Sequence, residues 1–554
     1  MNRCLCSAIV ATTLVVLLYA SPAGAWSSSD GSFSAWGGTH NGESRDIHLD
    51  SSGNMYTCGY LRGSGDVDPN YYDTTVVNEA AAGKQSSLVT KLNSSGNLVW
   101  SSLMDSSGDD HVDDCAIDSS GNVYVTGAYK GSMDFDDDGS AEVTALADDT
   151  GNGYDAYVAK LNSSGAVVWW RVVGNTTDVA GQLDTVFGTG VDVDGSGNVY
   201  FGGYFTGTID IDPGGTTTAV TPVGDTTGSK YDAYLIKLDS SGNTVWTRHW
   251  GQAANDYVFD IDVDPSGNVI AVGEHNNTGD VNYHPIAGGC TSSCGETLVA
   301  AHGAYDGVVS KIGSDGTVAW VGFVGSAFND RLRGVTTDGS GNIYATGYYR
   351  ALGTPDFDPG SGSSITLPTT SSGDDAYVIK VGSDGNGVWA KAFETTSGSG
   401  VDQGEGIAVD GSGNVYVTGF FDTNDTVDFD PGAGTTAFTA DNTDDIFGVK
   451  LNSSGNLVWA RQFETIGTFQ GRGDGVAVDG SGNVYITGSF YGHMDFDPGS
   501  GEAWWLALTH KARQDAFVVK LDSSGELGDG NAAWVENAPS GWDVVHGPVN
   551  GTDL

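Results

Sequence analysis

Basic side chains are scarce in this chain: 23 Lys and Arg stand against 71 Asp and Glu in 554 residues, a formal net charge of −48. Nucleic acid and anionic membrane surfaces both need a basic face, so neither is an expected partner. Catalytic signatures are missing as well. No Gly-x-Ser-x-Gly elbow, phosphate loop or dinucleotide fingerprint stands out, and the 10 histidines are scattered, so nothing assembles a nucleophile, a base and an orienting group. Convincing amphipathic helices are absent. Past the first 25 residues, no run is long and apolar enough to cross a bilayer. Disorder, the usual companion of such acidity, is excluded for most of the chain, because 39% of residues are apolar and fall in regular short runs.

What is present begins with an export pattern. Arg3, the apolar "SAIVATTLVVLLYA" (7–20) and the small-residue "AGA" (23–25) read as a secretory signal over residues 1–25, cleaved after Ala25. The mature protein is expected to be secreted or displayed at the cell surface, with no membrane span once the signal is removed. Cys4 and Cys6 leave with the signal, and export makes disulfides the default for the remaining four cysteines. Cys290 and Cys294 can close a short local loop, which pairs Cys58 with Cys115 by elimination. A zinc cluster of these cysteines with His275, His284 and His302 is the lesser reading, because zinc ligation needs reduced thiolates.

Gly is abundant at 84 residues, and much of it lies in one phrase that recurs seven times. The phrase runs from "LDSSGNMYTCGY" (49–60) to "VDGSGNVYITGSF" (478–490), its leading aspartates being Asp50, Asp118, Asp194, Asp264, Asp338, Asp410 and Asp479. A second phrase follows each of the first six, as in "AYVAKLNSSGAVVW" (156–169), ending at Trp100, Trp169, Trp246, Trp320, Trp389 and Trp459. In both phrases, alternating Val, Ile, Tyr and Thr flank an Asp/Asn-Ser-Gly turn, the pattern of a β-hairpin. Two hairpins per unit give four antiparallel strands, and seven such units predict an all-β, seven-bladed β-propeller over residues 26–530. The blades are placed near 40–100, 101–169, 170–246, 247–320, 321–389, 390–459 and 460–527. The seventh unit lacks a clear fourth strand, and "SFSAWGG" (32–38) is expected to supply it and close the ring; "NAAWVEN" (531–537) competes for that role. Residues 531–554 read as a flexible tail. The tryptophans are expected to pack blade against blade.

The phrases "GIAVDGSGNVYVTGFF" (406–421) and "DAYVIKV…VW" (375–389) resemble the bacterial secreted seven-bladed β-propeller repeat proteins, over roughly residues 32–527. That resemblance implies an extracellular propeller and no settled activity.

Both hairpin turns of a unit fall on one face of the predicted disc. The long connections between second and third strands fall on the other, and they carry a recurring Asp-x-Asp-Pro-Gly stretch. In extended backbone, carboxylates at i and i+2 point the same way and repel unless a cation lies between them. Calcium is the expected cofactor for a secreted protein. The candidate ligands are Asp66, Asp68, Asp134, Asp136, Asp138, Asp210, Asp212, Asp356, Asp358, Asp428, Asp430, Asp495 and Asp497. Asp155, Asp232, Asp375, Asp445 and Asp515, standing just before third strands, are possible further ligands. "DFDDDG" (134–139) matches the opening of a calcium loop but has Ala145 where an EF-hand places its bidentate Glu. The opposing expectation is that these aspartates simply cap turns. The hairpin-turn aspartates are expected to cap turns, and Asp192, Asp260 and Asp262 to line the central channel.

The expected function is a monomeric, calcium-stabilised, non-catalytic module binding extracellular protein or polysaccharide through the acidic long-loop face. The alternatives are a secreted polysaccharide hydrolase or lyase and a surface adhesin. Fold alone does not choose among them.

Overall fold

The computed structural model describes residues 32–38, 41–63, 65–67, 76–77, 84–143, 153–175, 185–215, 217–222, 230–251, 254–276, 282–285, 304–350, 355–360, 362–368, 373–397, 400–422, 425–440, 444–466, 470–496, 504–506 and 514–527. The expected signal, the Cys290–Cys294 pair, Asp68, Asp497 and the tail lie outside them. Among the described residues the chain is all-β, without helices.

The sheets are antiparallel and built from the two recurring phrases. In the second unit, Asp110–Ile117, Val123–Tyr129, Asp155–Leu161 and Val167–Val173 pair in chain order. The same order holds in the first six units. In the seventh, Gly471–Val478, Val484–Tyr491 and Gln514–Leu521 are joined by Ser32–Gly38, with Trp36 opposite Ala516. The first strand of each sheet lies beside the first strand of the next, and that of the seventh lies beside Gly42–Leu49 of the first.

The turn chemistry is specific. Asp410 accepts the N–H groups of Ser412 (2.8 Å) and Asn414 (2.9 Å) on one oxygen, and the Asn414 side-chain amide (2.7 Å) and Tyr416 hydroxyl (3.0 Å) on the other. Five other units, those led by Asp50, Asp118, Asp194, Asp338 and Asp479, repeat this set. In the turn between third and fourth strands, Gly165 takes φ +85°, and the ring of Trp100 from the preceding sheet lies where its Cβ would be. Trp100 Nε1 then donates to Ser163 O at 3.1 Å. Trp169, Trp246, Trp389 and Trp459 make the equivalent bond to the next sheet's turn. Five of the six recurring tryptophans thus tie their sheet to the next through an indole that satisfies its N–H, whereas Trp320 Nε1 is buried with no partner among the described residues.

Every first strand carries a β-bulge at one position. The unpaired residues are Arg45, Asp113, Thr189, Phe259, Arg333, Glu405 and Asp474. The bulge brings the first strand's backbone against the glycine of the second-strand phrase: a Cβ on Gly127 would collide with the His111 carbonyl. That collision explains why this glycine recurs in every unit. A bulge also re-aims side chains, and here it turns seven of them toward the space that the first strands surround.

Candidate binding site at the inner strands

The side chains at the bulges and two residues earlier divide that space in two. On the second to fourth sheets the earlier position is aromatic, as His111, Phe187 and Tyr257, and the bulges add Asp113, Thr189 and Phe259; Tyr154, Tyr204 and Tyr231 continue the rings. His111 stacks on Phe187 (6.3 Å between centroids), Phe187 meets Tyr204 (5.1 Å), and Tyr204 meets Tyr257 (4.9 Å). Tyr231 packs against Tyr204 and Tyr257, and Tyr257 stacks on Phe259 at 5.3 Å with the planes 10° apart. His111 is buried, and the other rings are half-buried. The result is a continuous, partly exposed aromatic arc at the end of the first strands from which the long loops spring.

The remaining sheets contribute charge. Arg45 bonds Glu43 at 2.9 Å and also pairs with Asp113, whose other oxygen lies 3.1 Å from His111 Nε2. Burial opposes the Arg45 charge, but Asp113 and Glu43 hold its guanidinium above its ordinary range. Glu43 also accepts from Tyr60 at 3.0 Å and Gln514 at 3.2 Å. Arg331 pairs with the fully buried Glu274, whose carboxyl burial pushes up to about 7. Arg333 stacks over Phe259 at 4.6 Å, which joins the charged half to the aromatic arc, and Arg472 stacks over Phe420 at 4.5 Å. Burial raises Asp474 well above the usual carboxylate range, reinforced by Glu43 and Glu405.

Deeper along the first strands lie Asp46, His48, Asp114, Asp192, Asp260 and Asp262. His48 Nε2 is 2.9 Å from Asp46, and against the effect of burial that carboxylate raises the imidazole to about 9. Burial raises Asp192 to about 6 and Asp260 to about 7. These groups also join sheets: Asp114 accepts Val191 N–H at 2.6 Å, Asp192 accepts Val263 N–H at 2.6 Å, and Asp260 accepts Val335 N–H at 2.7 Å. Asp262 accepts the Thr337 hydroxyl at 2.6 Å.

The Asp-x-Asp stretches sit at the outer part of the long-loop face. The first aspartate closes its own loop. Asp210 accepts N–H groups from Asp212 (3.1 Å) and Thr218 (2.8 Å), Asp356 from Asp358 (3.0 Å) and Ile365 (3.1 Å), and Asp428 from Asp430 (3.0 Å) and Thr436 (2.8 Å). The second aspartate caps the Pro-Gly turn, Asp358 through Gly360 N–H (2.9 Å) and Asp430 through Gly432 N–H (2.8 Å). The residue between them is the plug of the sheet. Phe135, Phe357, Phe429 and Phe496 are all 0% exposed and meet third-strand rings Tyr157, Tyr377, Phe447 and Phe517 at 5.4, 4.9, 5.0 and 5.0 Å. Asp66 pairs with Gly37 through the backbone, and Asp495 is buried opposite Glu464.

Asp155, Asp232, Asp375, Asp445 and Asp515 stand at the starts of third strands. They are buried, and Asp155, Asp375 and Asp445 accept N–H groups of Asn175, Thr395 and Thr465, each 20 residues on. Asp232 and Asp515 are buried at the same strand position.

The second unit differs. Carboxylate oxygens of Asp134, Asp136, Asp138 and Glu142 lie within 4.8 Å of one another. Glu142 also accepts Phe135 N–H at 2.7 Å, and Asp137 adopts a left-handed φ of +54° that folds the loop. Four hard oxygen donors in one small loop fit calcium. Sequence reasoning looked for the Glu at the twelfth position of an EF-hand and passed over Glu142 at the ninth. Cys58 and Cys115 form a disulfide between the first two sheets, Cα–Cα 6.4 Å.

Residues 389–419 match the model of a family described as a beta-propeller repeat. An uncharacterised WD repeat-containing protein of Acanthamoeba polyphaga mimivirus is 22% identical over 379 residues, 60% of this chain, which spans 26% of that protein's length. Two solved structures are similar in outline. One is a catalytically inactive virginiamycin B lyase from Staphylococcus aureus with quinupristin, with TM-score 0.37 and 9% identity over 89% of this chain and 100% of the other. The other is a protein of unknown function from Bacteroides caccae, with TM-score 0.28 and 10% identity over 73% of this chain and 93% of the other. These likenesses carry no activity over to this chain.

Proposed function

We propose that the seven sheets are the blades of one closed propeller, exported from the cell, that binds polysaccharide without cleaving it at the mouth of its central channel. The carrying observation is the aromatic arc from His111 to Phe259, facing the charged side chains of Arg333, Glu405, Arg472 and Asp474. Sugar rings present apolar C–H faces that stack on exposed aromatics, and hydroxyls that carboxylates and guanidinium groups bind. A half-aromatic, half-charged cleft offers both. Ring closure is supported by the pairing of Ser32–Gly38 with the seventh sheet and by the contact of Gly471–Val478 with Gly42–Leu49. The Cys58–Cys115 disulfide supports an oxidising, extracellular setting.

In this reading calcium belongs to the second unit, held by Asp134, Asp136, Asp138 and Glu142. It would offset their mutual repulsion and fix the loop. The other Asp-x-Asp stretches are turn caps around a buried plug.

A second reading has one observation in its favour. Asp474, raised by burial beside Glu43 and Glu405, is suited to donate a proton to a glycosidic oxygen. Titrating residues 26–554 with a panel of soluble polysaccharides, alongside a reducing-end assay, separates the two. Saturable binding with no new reducing ends supports the module. New reducing ends that disappear in Asp474→Asn support the hydrolase.

A further inference from the structure

Four of the chain's 11 arginines, Arg45, Arg331, Arg333 and Arg472, stand at the channel mouth of a protein that carries 71 acidic residues. Two are neutralised in place: Arg45 by Glu43 and Asp113, Arg331 by Glu274. Arg333 and Arg472 make no close ion pair among the described residues, and the opposing charges, Glu274 for Arg333 and Asp474 for Arg472, act on them at longer range. Each is instead laid over an aromatic ring, Arg333 on Phe259 at 4.6 Å and Arg472 on Phe420 at 4.5 Å. Stacking fixes the guanidinium plane and leaves its in-plane N–H groups presented at the edge, the arrangement that grips a carboxylate with two parallel bonds.

A second observation points to a ligand. The Nε–H of Arg333 is buried and has no hydrogen-bond acceptor among the described residues. A buried donor left unmade costs stability, and a ligand that supplied the acceptor would recover that cost. The position also fits. Phe259 carries Arg333 on one side of the arc and stacks on Tyr257 at 5.3 Å, so a sugar ring lying on the arc places its substituents beside the guanidinium. Glu405 stands at the bulge of the first strand that lies between the two arginine-bearing strands.

We infer that the bound polysaccharide carries carboxylates, and that Arg333 and Arg472 read them: the ligand is a uronate-containing chain. This rests on the polysaccharide reading above and narrows it. The chain's net charge of −48 opposes an acidic polymer at long range. That repulsion is screened beyond about 8 Å at physiological salt, whereas the arginines act at contact.

The test is calorimetric titration of residues 26–554 with oligomers of galacturonate, glucuronate and mannuronate, each beside the same oligomer after its carboxyls are reduced to alcohols. The inference expects at least one uronate oligomer to bind about tenfold or more tighter than its reduced counterpart. Arg333→Gln and Arg472→Gln should each remove most of that preference while changing affinity for the reduced oligomer less than about twofold. The paired oligomers need no variant, so a misfolded substitution does not spoil the comparison. Equal binding of acidic and reduced oligomers overturns the inference and leaves the polysaccharide reading standing. Binding of neither overturns both.

Discussion

Replacing Phe429 by Ala is expected to destabilise the protein more than removing either aspartate beside it. Phe429 is 0% exposed and packs against Phe393, Phe421, Phe438 and Phe447 at centroid distances of 5.4, 5.6, 5.6 and 5.0 Å. Burying such a ring contributes about 1.5–3 kcal/mol by transfer. The cavity left among four rings that cannot all move inward brings the loss to about 3–5 kcal/mol. Asp428→Ala instead leaves the N–H groups of Asp430 and Thr436 without their acceptor in a half-exposed loop, a loss of about 1–3 kcal/mol. The measurement is urea unfolding followed by tryptophan fluorescence, for wild type, Phe429→Ala and Asp428→Ala, each with calcium and with EDTA. The order wild type, Asp428→Ala, Phe429→Ala should hold in both buffers. A Phe429→Ala loss under about 1 kcal/mol would refute the reasoning. So would an Asp428→Ala loss that is the larger of the two and vanishes with EDTA, because the sixth unit's loop would then be held by metal.

Three further outcomes are expected. Cys58→Ser with Cys115→Ser opens a link across 57 residues, and loop entropy puts the loss near 4 kcal/mol, to be read from the unfolding midpoint under non-reducing conditions. Stability should peak near pH 5. Burial raises Asp110 to about 7 and Asp330 and Asp402 to about 8. Their contribution is complete below the unfolded carboxylate range and is lost as pH rises through 7–8. Burial pushes Asp410 up, but Asn414 holds it below the ordinary range, so its contribution is lost as pH falls below about 4. Melting temperature against pH checks both limbs, and Asp402→Asn should flatten the alkaline one. Native mass spectrometry should find calcium on the wild type and one ion fewer on Glu142→Gln with Asp136→Asn. An unchanged count would remove the second unit's loop as a metal site.

Much of the sheet architecture was legible because its chemistry recurs. Asp410 must cap its turn, Gly165 must take positive φ beneath a tryptophan, and Trp100 must find an acceptor across the sheet boundary; each requirement leaves the same letters in unit after unit. Ser32–Gly38 was found by matching Trp36 to the other fourth-strand tryptophans, but its register differs: Trp36 lies opposite Ala516, whereas the other six lie opposite a third-strand lysine and Ser32 takes that place. The aromatic and charged cluster at the bulges was not legible, because it is made where the units differ. A one-residue bulge reverses the alternation of the first strand, so Phe259, Arg333 and Asp474 face inward against the period that the flanking residues suggest. Tyr154 and Tyr231 reach the arc from the residue just before the third-strand aspartate, a position that only some units fill with an aromatic. The Asp-x-Asp stretches drew attention to their charges, while the buried phenylalanine between them was present in the sequence all along. An apolar x in all six Asp-x-Asp stretches, phenylalanine in four of them, was the available signal. Glu142 was hidden by the expectation of an EF-hand register.

The most direct test of the account is one titration. Residues 26–554 and the double variant Tyr257→Ala, Phe259→Ala are compared by calorimetry against the polysaccharide that the wild type binds, with melting temperatures measured beside them. The account predicts saturable binding by the wild type and a loss of about tenfold or more in the variant, at a melting temperature within a few degrees of wild type. Undiminished binding by a folded variant would contradict it, and would move the ligand away from the channel mouth.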